Sequence, residues 1–430
     1  MSRKWAIIAD DFTGAGDSAV QFVSCGKPVF LLIDRYSDGI TFQKHETVVI
    51  NTDTRFLDGK DAYRKVASAT RMLYELGYRA FFKKIDSTLR GNIAEEIAAV
   101  MDAGGFRFVI VAPAAPRNRR TVINGVCLID GVPLTDTSIG RDPFNPVNIG
   151  RISEFLQIRF PGAVEELFLS DIRSGSSLLR SKIEDGLARG IRVFIADAET
   201  MEDLKIISNM QTMPGILFAG SSGLAEAIAD GKKCSTAVRH DFPRKAVLFV
   251  IGSLTEKTIR QCNRLLEVET VEELVVDTSR ALNDPSDEIT RIMEHLNSLQ
   301  RNCPLLLRTD HILRGRNGSA IDKNVGLQIS QFMGSLARVI AQECSIKLII
   351  ASGGDTAARI IETLDTDCIR FVDEIIPGIP YGYFKSNALG RKIYYVSKSG
   401  GFGDEDAMVE CLRIVSPLMK TLGRSKNEIF

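Results

Sequence analysis

Short apolar runs, each about one strand long, alternate with amphipathic stretches of helix length along almost the whole chain. A run such as Trp5 to Ala9 or Leu348 to Ala351 has no polar face, so it needs cover on both sides. Helices crossing back over a parallel sheet supply that cover. The spacing predicts strands near residues 5–9, 28–33, 47–51, 79–84, 107–112, 191–197 and 215–220. Helices are expected near 14–25, 58–76, 92–103, 176–189, 199–210 and 222–230. A charged, polar stretch closed by Pro243, residues 233–245, reads as a linker. The series then restarts, with strands near 246–251, 273–276, 305–308, 348–351, 369–375 and 392–397 and helices near 256–267, 286–299, 326–344, 355–364 and 404–419. Single cores stop growing at roughly 250–300 residues, so a chain of 430 residues is read as two α/β domains, 1–232 and 246–430, with mainly parallel sheets.

Charge and cysteine usage exclude several partners. Lys plus Arg equals Asp plus Glu at 54 each, which leaves no net field to draw a polyanion, so neither nucleic acid nor a membrane surface is expected. The basic start Met1 to Lys4 is followed by an apolar run that stops at Asp10, too short for a signal peptide. No stretch approaches the roughly 18 apolar residues of a membrane span. The eight cysteines are scattered with no CxxC pair, as expected of reduced, structurally inert thiols in the cytoplasm. Self-association as a homo-oligomer stays open.

In open parallel sheets ligands gather beyond the carboxyl ends of the strands, so unusual residues there come first. The first strand ends in Asp10-Asp11-Phe12-Thr13-Gly14-Ala15-Gly16-Asp17. Gly14 and Gly16, with Asp34 after the next strand, match a dinucleotide fingerprint in outline, but two carboxylates beside a pyrophosphate are unfavourable. Helix capping by Asp10 or Asp11 is a second reading. A third, which fits the pair better, is an acidic site for sugar hydroxyls or, indirectly, a metal. The fourth strand runs into Lys83-Lys84-Ile85-Asp86-Ser87-Thr88-Leu89-Arg90. Arg90 offers a bidentate fork for a carboxylate, Ser87 and Thr88 offer hydroxyls, and Asp86 offers an acceptor for a hydroxyl proton. Arg55, after the third strand, adds another anion-gripping group.

The second half carries glycines at its strand ends instead. Gly252-Ser253-Leu254-Thr255, Ser352-Gly353-Gly354-Asp355-Thr356 and Lys398-Ser399-Gly400-Gly401 each turn out of an apolar run. Glycine lets backbone N–H groups approach phosphate closely, and a helix N-terminus adds partial positive charge. Three such turns suggest a polyphosphate ligand. A GxxxxGK[ST] loop is absent.

The strings IADDFTGAGDSAVQF, KKIDSTLRGNI, NGVCLIDGVPLTDT with RDPFNPV, AGSSGLAEA, ASGGDTA and SGGFG resemble, in this order, the four-carbon acid sugar kinase family. The resemblance implies an N-terminal sugar-acid domain, a C-terminal nucleotide domain and an active-site cleft between them. It assigns Asp11, Arg55, Lys84, Ile85, Asp86, Ser87 and Arg90 to the sugar acid, with Asp10 beside them. It assigns Ser253, Gly353, Gly354, Asp355, Thr356 and Gly400 or Gly401 to ATP, and Thr255 shares the first of these turns. The sequence departs from the family at Pro113-Ala114-Ala115-Pro116 and Arg119-Arg120-Thr121, where Pro-x-Phe-Pro and Gly-Arg-Thr are usual. The expected catalytic set is Asp86, Asp11 and Arg90. Arg90 and Arg55 would hold the carboxylate, Asp86 or Asp11 would orient or deprotonate the hydroxyl, and Asp355 would support Mg²⁺. A non-catalytic sugar-acid sensor and an NAD-dependent dehydrogenase are the rival readings.

Overall fold

The computed structural model describes residues 4–23, 29–33, 47–137, 139–141, 147, 150–229, 241–299, 302–310, 323–376, 378–400 and 402–416. The chain opens with strand β1 (Trp5–Ala9), helix α1 (Phe12–Gln21) and strands β2 (Val29–Leu32) and β3 (Thr47–Asn51). It continues through helix α2 (Gly59–Glu75), strand β4 (Ala80–Lys84), helix α3 (Ile93–Gly104) and strand β5 (Phe108–Ala112). Beyond these, strands Val164–Leu167, Val193–Ala196 and Ile216–Gly220 complete the N-terminal half of the sheet. β1 and β5 are buried along their full length, as the lack of a polar face requires, while the edge strand Val164–Leu167 is half-buried.

The two halves do not form two separate sheets. Among the described residues, fifteen strands make one continuous sheet. Its C-terminal half runs Glu272–Val276, Leu305–Thr309, Val247–Ile251, Leu348–Ser352, Arg391–Lys398, Ile379–Ser386 and Cys368–Ile376 from the edge inward, and the last of these joins β2. That junction is antiparallel, with Cys368 opposite Leu32 and Phe371 opposite Val29. An antiparallel ribbon from Cys368 to Lys398 therefore splices two parallel sheets edge to edge. Strand Ile379–Ser386 is not foreseen by the sequence reading, because Pro380 and Gly382 look like turn residues. Gly382 is needed there: a Cβ would lie 2.4 Å from the carbonyl oxygen of Arg370 on the paired strand.

A second sheet of three short strands, Arg120–Ile123, Val126–Ile129 and Val132–Pro133, projects after β5. Its two turns are Asn124-Gly125 and Asp130-Gly131, each with positive φ at both residues (53° and 72°, 51° and 80°). That is the geometry of two-residue hairpins. The linker expected at 233–245 is described only from Asp241, with a short 3₁₀ turn at Arg244–Ala246.

Strand order places the site. In the N-terminal half, β2 and β3 lie on one side of β1 and β4 on the other. In the C-terminal half, Val247–Ile251 has Leu305–Thr309 on one side and Leu348–Ser352 on the other. Each reversal opens a crevice at the carboxyl ends of the strands. The two crevices meet in one cleft.

Candidate active site

The cleft has a volume of about 530 Å³ and draws its walls from both halves of the chain. Asp11, Arg55, Lys84, Asp86, Ser87 and Arg90 line the N-terminal side. Ser253, Thr255, Gly353, Gly354, Asp355, Thr356 and Gly400 line the other. Gly401 lies outside the described residues. Asp10 and Ile85 are not on the wall. Asp10 is buried behind it, and Ile85 contributes its backbone, whose carbonyl accepts from Lys84 Nζ at 2.9 Å.

The acidic pair after β1 is tied down by one arginine. Arg55 Nε donates to Asp10 Oδ2 at 2.7 Å, and its two terminal nitrogens donate to Asp11 at 3.0 and 2.7 Å. Asp11 is also the N-cap of α1, accepting from Gly14 N at 3.0 Å. Capping and facing the cleft are thus compatible. Burial works against the charge of Asp10, yet Arg55 and Lys83 hold its carboxyl below the usual range. Burial raises Asp11 above that range against the pull of Arg55, and the negative charge of Asp10 adds to the rise.

Lys83 and Lys84 separate because side chains alternate along a strand. Lys83 points away from the cleft into a fully buried ion pair with Glu96 on α3, at 2.8 Å. Lys84 reaches the start of α1, where a Cβ on Gly14 would lie 2.9 Å from its Nζ. Asp86 accepts from Arg90 Nε at 2.5 Å and from Thr88 Oγ1 at 2.6 Å. Burial opposes its charge, but Arg90 and then Arg55 keep it well below the usual carboxylate range. Asp86 and Ser87 do not cap α3, whose N-cap is Asn92. Arg55 and Arg90, the two groups expected to grip a ligand carboxylate, therefore already hold carboxylates of the chain.

Across the cleft the glycine turns lock together. Thr255 and Thr258 both donate from Oγ1 to the carbonyl of Gly400 at 3.1 Å, and Ser253 N donates to the carbonyl of Ser352 at 3.1 Å. Thr255 caps the helix Glu256–Val268, and Gly353 caps the helix Gly354–Thr363 with φ of 108°. A Cβ on Gly353 would lie 3.0 Å from Ser253 N, so the backbone must be bare there. Lys398 lies beneath the turn: it is buried, donates to the carbonyl of Ser399 at 2.9 Å, and burial pulls it down to about 8. Asp355 is raised by burial and by the charges of Asp53 and Asp11, a repulsion that a cation relieves. Among the described residues no three His, Cys, Asp or Glu side chains gather to hold a metal on their own. Mg²⁺ characteristically takes one or two carboxylates with phosphate oxygens and waters, so Asp355 beside bound phosphates fits that ion.

Sequence reasoning left several wall residues unassigned, among them Thr13, Asp17, Arg120, Ser222 and Arg359. The hairpin turns in NGVCLIDG were the available signal for Arg120. A lone charged residue within α1 was the signal for Asp17. Cys127 is buried and its thiol is pushed up to about 12 by that burial, which leaves it inert. No helix among the described residues is long and apolar enough to cross a membrane.

Comparison with known proteins agrees with this geometry. Residues 5–228 match the family model described as a sugar-binding N-terminal domain, and residues 248–408 match a nucleotide-binding C-terminal domain. A D-threonate kinase of Salmonella typhimurium is 29% identical, over 96% of this chain and 99% of that protein. A D-erythronate kinase of Heliobacterium modesticaldum is 27% identical over 94% and 95%, and a 3-oxo-tetronate kinase of Brucella melitensis 26% over 95% and 95%. The fold is shared with a Salmonella typhimurium LT2 crystal structure, at a TM-score of 0.80 and 24% identity over 96% of this chain and 100% of that one. A sugar-binding half and a nucleotide-binding half that wall one cleft, in a chain matched over nearly its full length by such kinases, place it: it belongs to the four-carbon acid sugar kinase family and is an ATP-dependent kinase.

Proposed function

We propose that this kinase acts in the cytoplasm and transfers the γ-phosphoryl group of ATP to the C4 hydroxyl of a four-carbon sugar acid, D-threonate or D-erythronate. The observation that carries the reading is the meeting of Asp11 and Thr13 with the turn at Gly354. A Cβ on Gly354 would lie 2.8 Å from Thr13 Oγ1 and 3.9 Å from Asp11 Oδ2. A phosphate cradled by the turn is thereby brought to the acidic residues of the sugar side.

Asp11 is the better base of the two acids. Asp11 is the acid beside the nucleotide turn, its Oδ2 3.9 Å from a Cβ placed on Gly354, and burial raises it, whereas Asp86 is bonded to Arg90 and Thr88 and held well below the usual range. The substrate hydroxyl gives its proton to Asp11 as its oxygen bonds to the γ-phosphorus. The bond from that phosphorus to the bridging oxygen breaks, and ADP leaves with the electron pair. Asp86, fixed in its ionised form, accepts hydrogen bonds from the substrate's remaining hydroxyls, and Arg55, itself bonded to Asp10, holds Asp11 in place. Ser253, Thr255, Gly353 to Thr356 and Gly400 surround the nucleotide. Asp355 would hold Mg²⁺, which would neutralise part of the phosphate charge.

The carboxylates of Asp11 and Asp86 suit a substrate that donates from C2 and C3 hydroxyls, and a 3-oxo group has no proton to give. Sites built for a hydroxyl reject analogues lacking it by as much as ~10⁴-fold. The test is a panel of D-threonate, D-erythronate, their L forms and 3-oxo-tetronate with Mg·ATP, the product position fixed by ³¹P–¹H coupling. Best kcat/KM for the 3-oxo acid overturns the hydroxyl-donor argument, and no turnover of any four-carbon acid removes the substrate class.

A further inference from the structure

Arg120, on the first strand of the small hairpin sheet, reaches into the cleft. Its terminal nitrogen donates to Ser87 Oγ. Among the described residues no carboxylate lies within ion-pairing distance of it, whereas Arg55 is held by Asp10 and Asp11 and Arg90 by Asp86. A half-buried guanidinium without a paired anion is costly, and burial, with the positive charge of Arg90 adding to it against the pull of Asp86 and Asp17, draws Arg120 below the ordinary arginine pKa. A bound carboxylate removes that cost, and the planar fork matches it in a way the single ammonium of Lys84 does not.

Position separates this end of the cleft from the phosphate end. Arg120 bonds Ser87, beyond β4, and the charges acting on it are those of Asp86, Arg90, Asp17 and Cys127. Those acting on Asp355, beside the nucleotide turn, are Asp53, Asp11, Arg359 and Arg55. Asp11 is the sugar-side carboxylate that comes up to the nucleotide turn, 3.9 Å from a Cβ placed on Gly354, whereas Arg120 is bonded to Ser87 beyond β4. A short acid with its hydroxyl at Asp11 therefore carries its carboxylate toward Arg120. Two hairpin turns and the bridge pairing Arg120 with Ala115 hold the strand that presents it.

We propose that Arg120, oriented by Ser87, is the clamp for the substrate carboxylate and sets the preference for acids over neutral polyols. The proposal rests on the sugar-acid reading above, and its test keeps the two apart. Wild-type protein, Arg120→Met and Arg120→Lys are each assayed with D-threonate and with D-threitol, which carries CH₂OH in place of the carboxylate, and binding of both compounds is measured by calorimetry. Removing one partner of a buried charge pair lowers kcat/KM by roughly 30-fold or more. Arg120→Met is expected to lose that factor for D-threonate, to keep its KM for ATP, and to leave D-threitol unaffected. Arg120→Lys, which keeps the charge and loses the fork, falls between, and it carries the test if the methionine variant does not fold. An unchanged ratio of acid to polyol in both variants overturns the clamp, as does a loss confined to the KM for ATP. Wild-type protein that binds D-threonate tightly without phosphorylating it removes the kinase substrate and leaves the clamp to the calorimetric ratio. Wild-type protein that does not bind it removes both.

Discussion

Thr13 and Gly354 touch across the two halves of the chain: a Cβ added to Gly354 would lie 2.8 Å from Thr13 Oγ1. Thr13 belongs to the first turn of α1 and Gly354 is the first residue of the helix Gly354–Thr363. Two helix N-termini thus converge on one point, with the partial positive charge that each carries. Anything larger than glycine there must displace the Thr13 side chain or the helix that carries it.

Gly354→Val is therefore expected to weaken nucleotide binding and, through Thr13, to disturb the start of α1 on the sugar side as well. Overpacking costs about 1–3 kcal/mol, which corresponds to roughly 5- to 150-fold in affinity. Calorimetric titration with ADP reads this directly, and unchanged affinity would move the nucleotide elsewhere. The full chain has to be used. An isolated N-terminal half would bare the edge of β2 that pairs with Cys368–Ile376, and bare edges associate.

Asp86 and Arg90 should act as a unit. Their 2.5 Å ion pair is part-buried, so removing either partner leaves the other charge uncompensated. A double-mutant cycle with Asp86→Asn and Arg90→Met is expected to show strong coupling, with the double variant losing little more kcat/KM than the worse single one. Additive losses would mean independent roles. Asp86 is depressed, so the stability it lends is present above its unfolded value of about 3.8 and is lost only as pH falls through the lower folded value. Any activity change near neutral pH must come from another group.

Much of this was legible from strand ends alone, because buried parallel strands force polar residues to their carboxyl ends, where β1, β4 and Leu348–Ser352 all deliver wall residues. What the residues did not disclose was pairing. Nothing in the spelling of Arg55 or Arg90 says that each meets an aspartate of the same chain, since those contacts join segments far apart in sequence or fold a loop back on itself. Arg120 was hidden differently: apolar periodicity is blind to three strands of two to four residues, although Asn124-Gly125 and Asp130-Gly131 spelled their turns. The splice of β2 to Cys368–Ile376 is a long-range pairing that local pattern does not encode.

Metal removal should abolish turnover. The cations nearest the nucleotide turns are already engaged: Arg359 pairs with Asp53 and Glu362, and Lys398 is buried beneath the turn. Little is left to neutralise a transferring phosphoryl group. Excess EDTA is expected to stop ADP formation and added Mg²⁺ to restore it. Asp355→Asn should raise the Mg²⁺ concentration needed for half-maximal rate. Full turnover in EDTA would sink the metal requirement, and an unchanged Mg²⁺ dependence would release Asp355 from it.

Asp17 gives the site a titration near neutrality. It is buried on the cleft-facing side of α1, and its Oδ1 has no hydrogen-bond partner among the described residues. Burial pushes its carboxyl up to about 7, with Lys84 and Arg120 opposing and Asp11 and Glu374 adding to the rise. At lower pH the neutral group has a proton to donate to a bound anion. At higher pH it is a second negative charge in the same cleft. The KM for the sugar acid should therefore climb between about pH 6 and about pH 8.5, while the KM for ATP stays level. Asp17→Asn, neutral throughout, should flatten that climb. Stability carries the same sign: the folded value lies above the unfolded 3.8, so the contribution is full below that and is lost as pH rises through about 7. Thermal unfolding should accordingly favour Asp17→Asn over wild type increasingly from acid to alkaline buffer. Parallel pH profiles for the two proteins, in KM and in Tm alike, would show that Asp17 keeps an ordinary carboxylate pKa and has no part in the pH response.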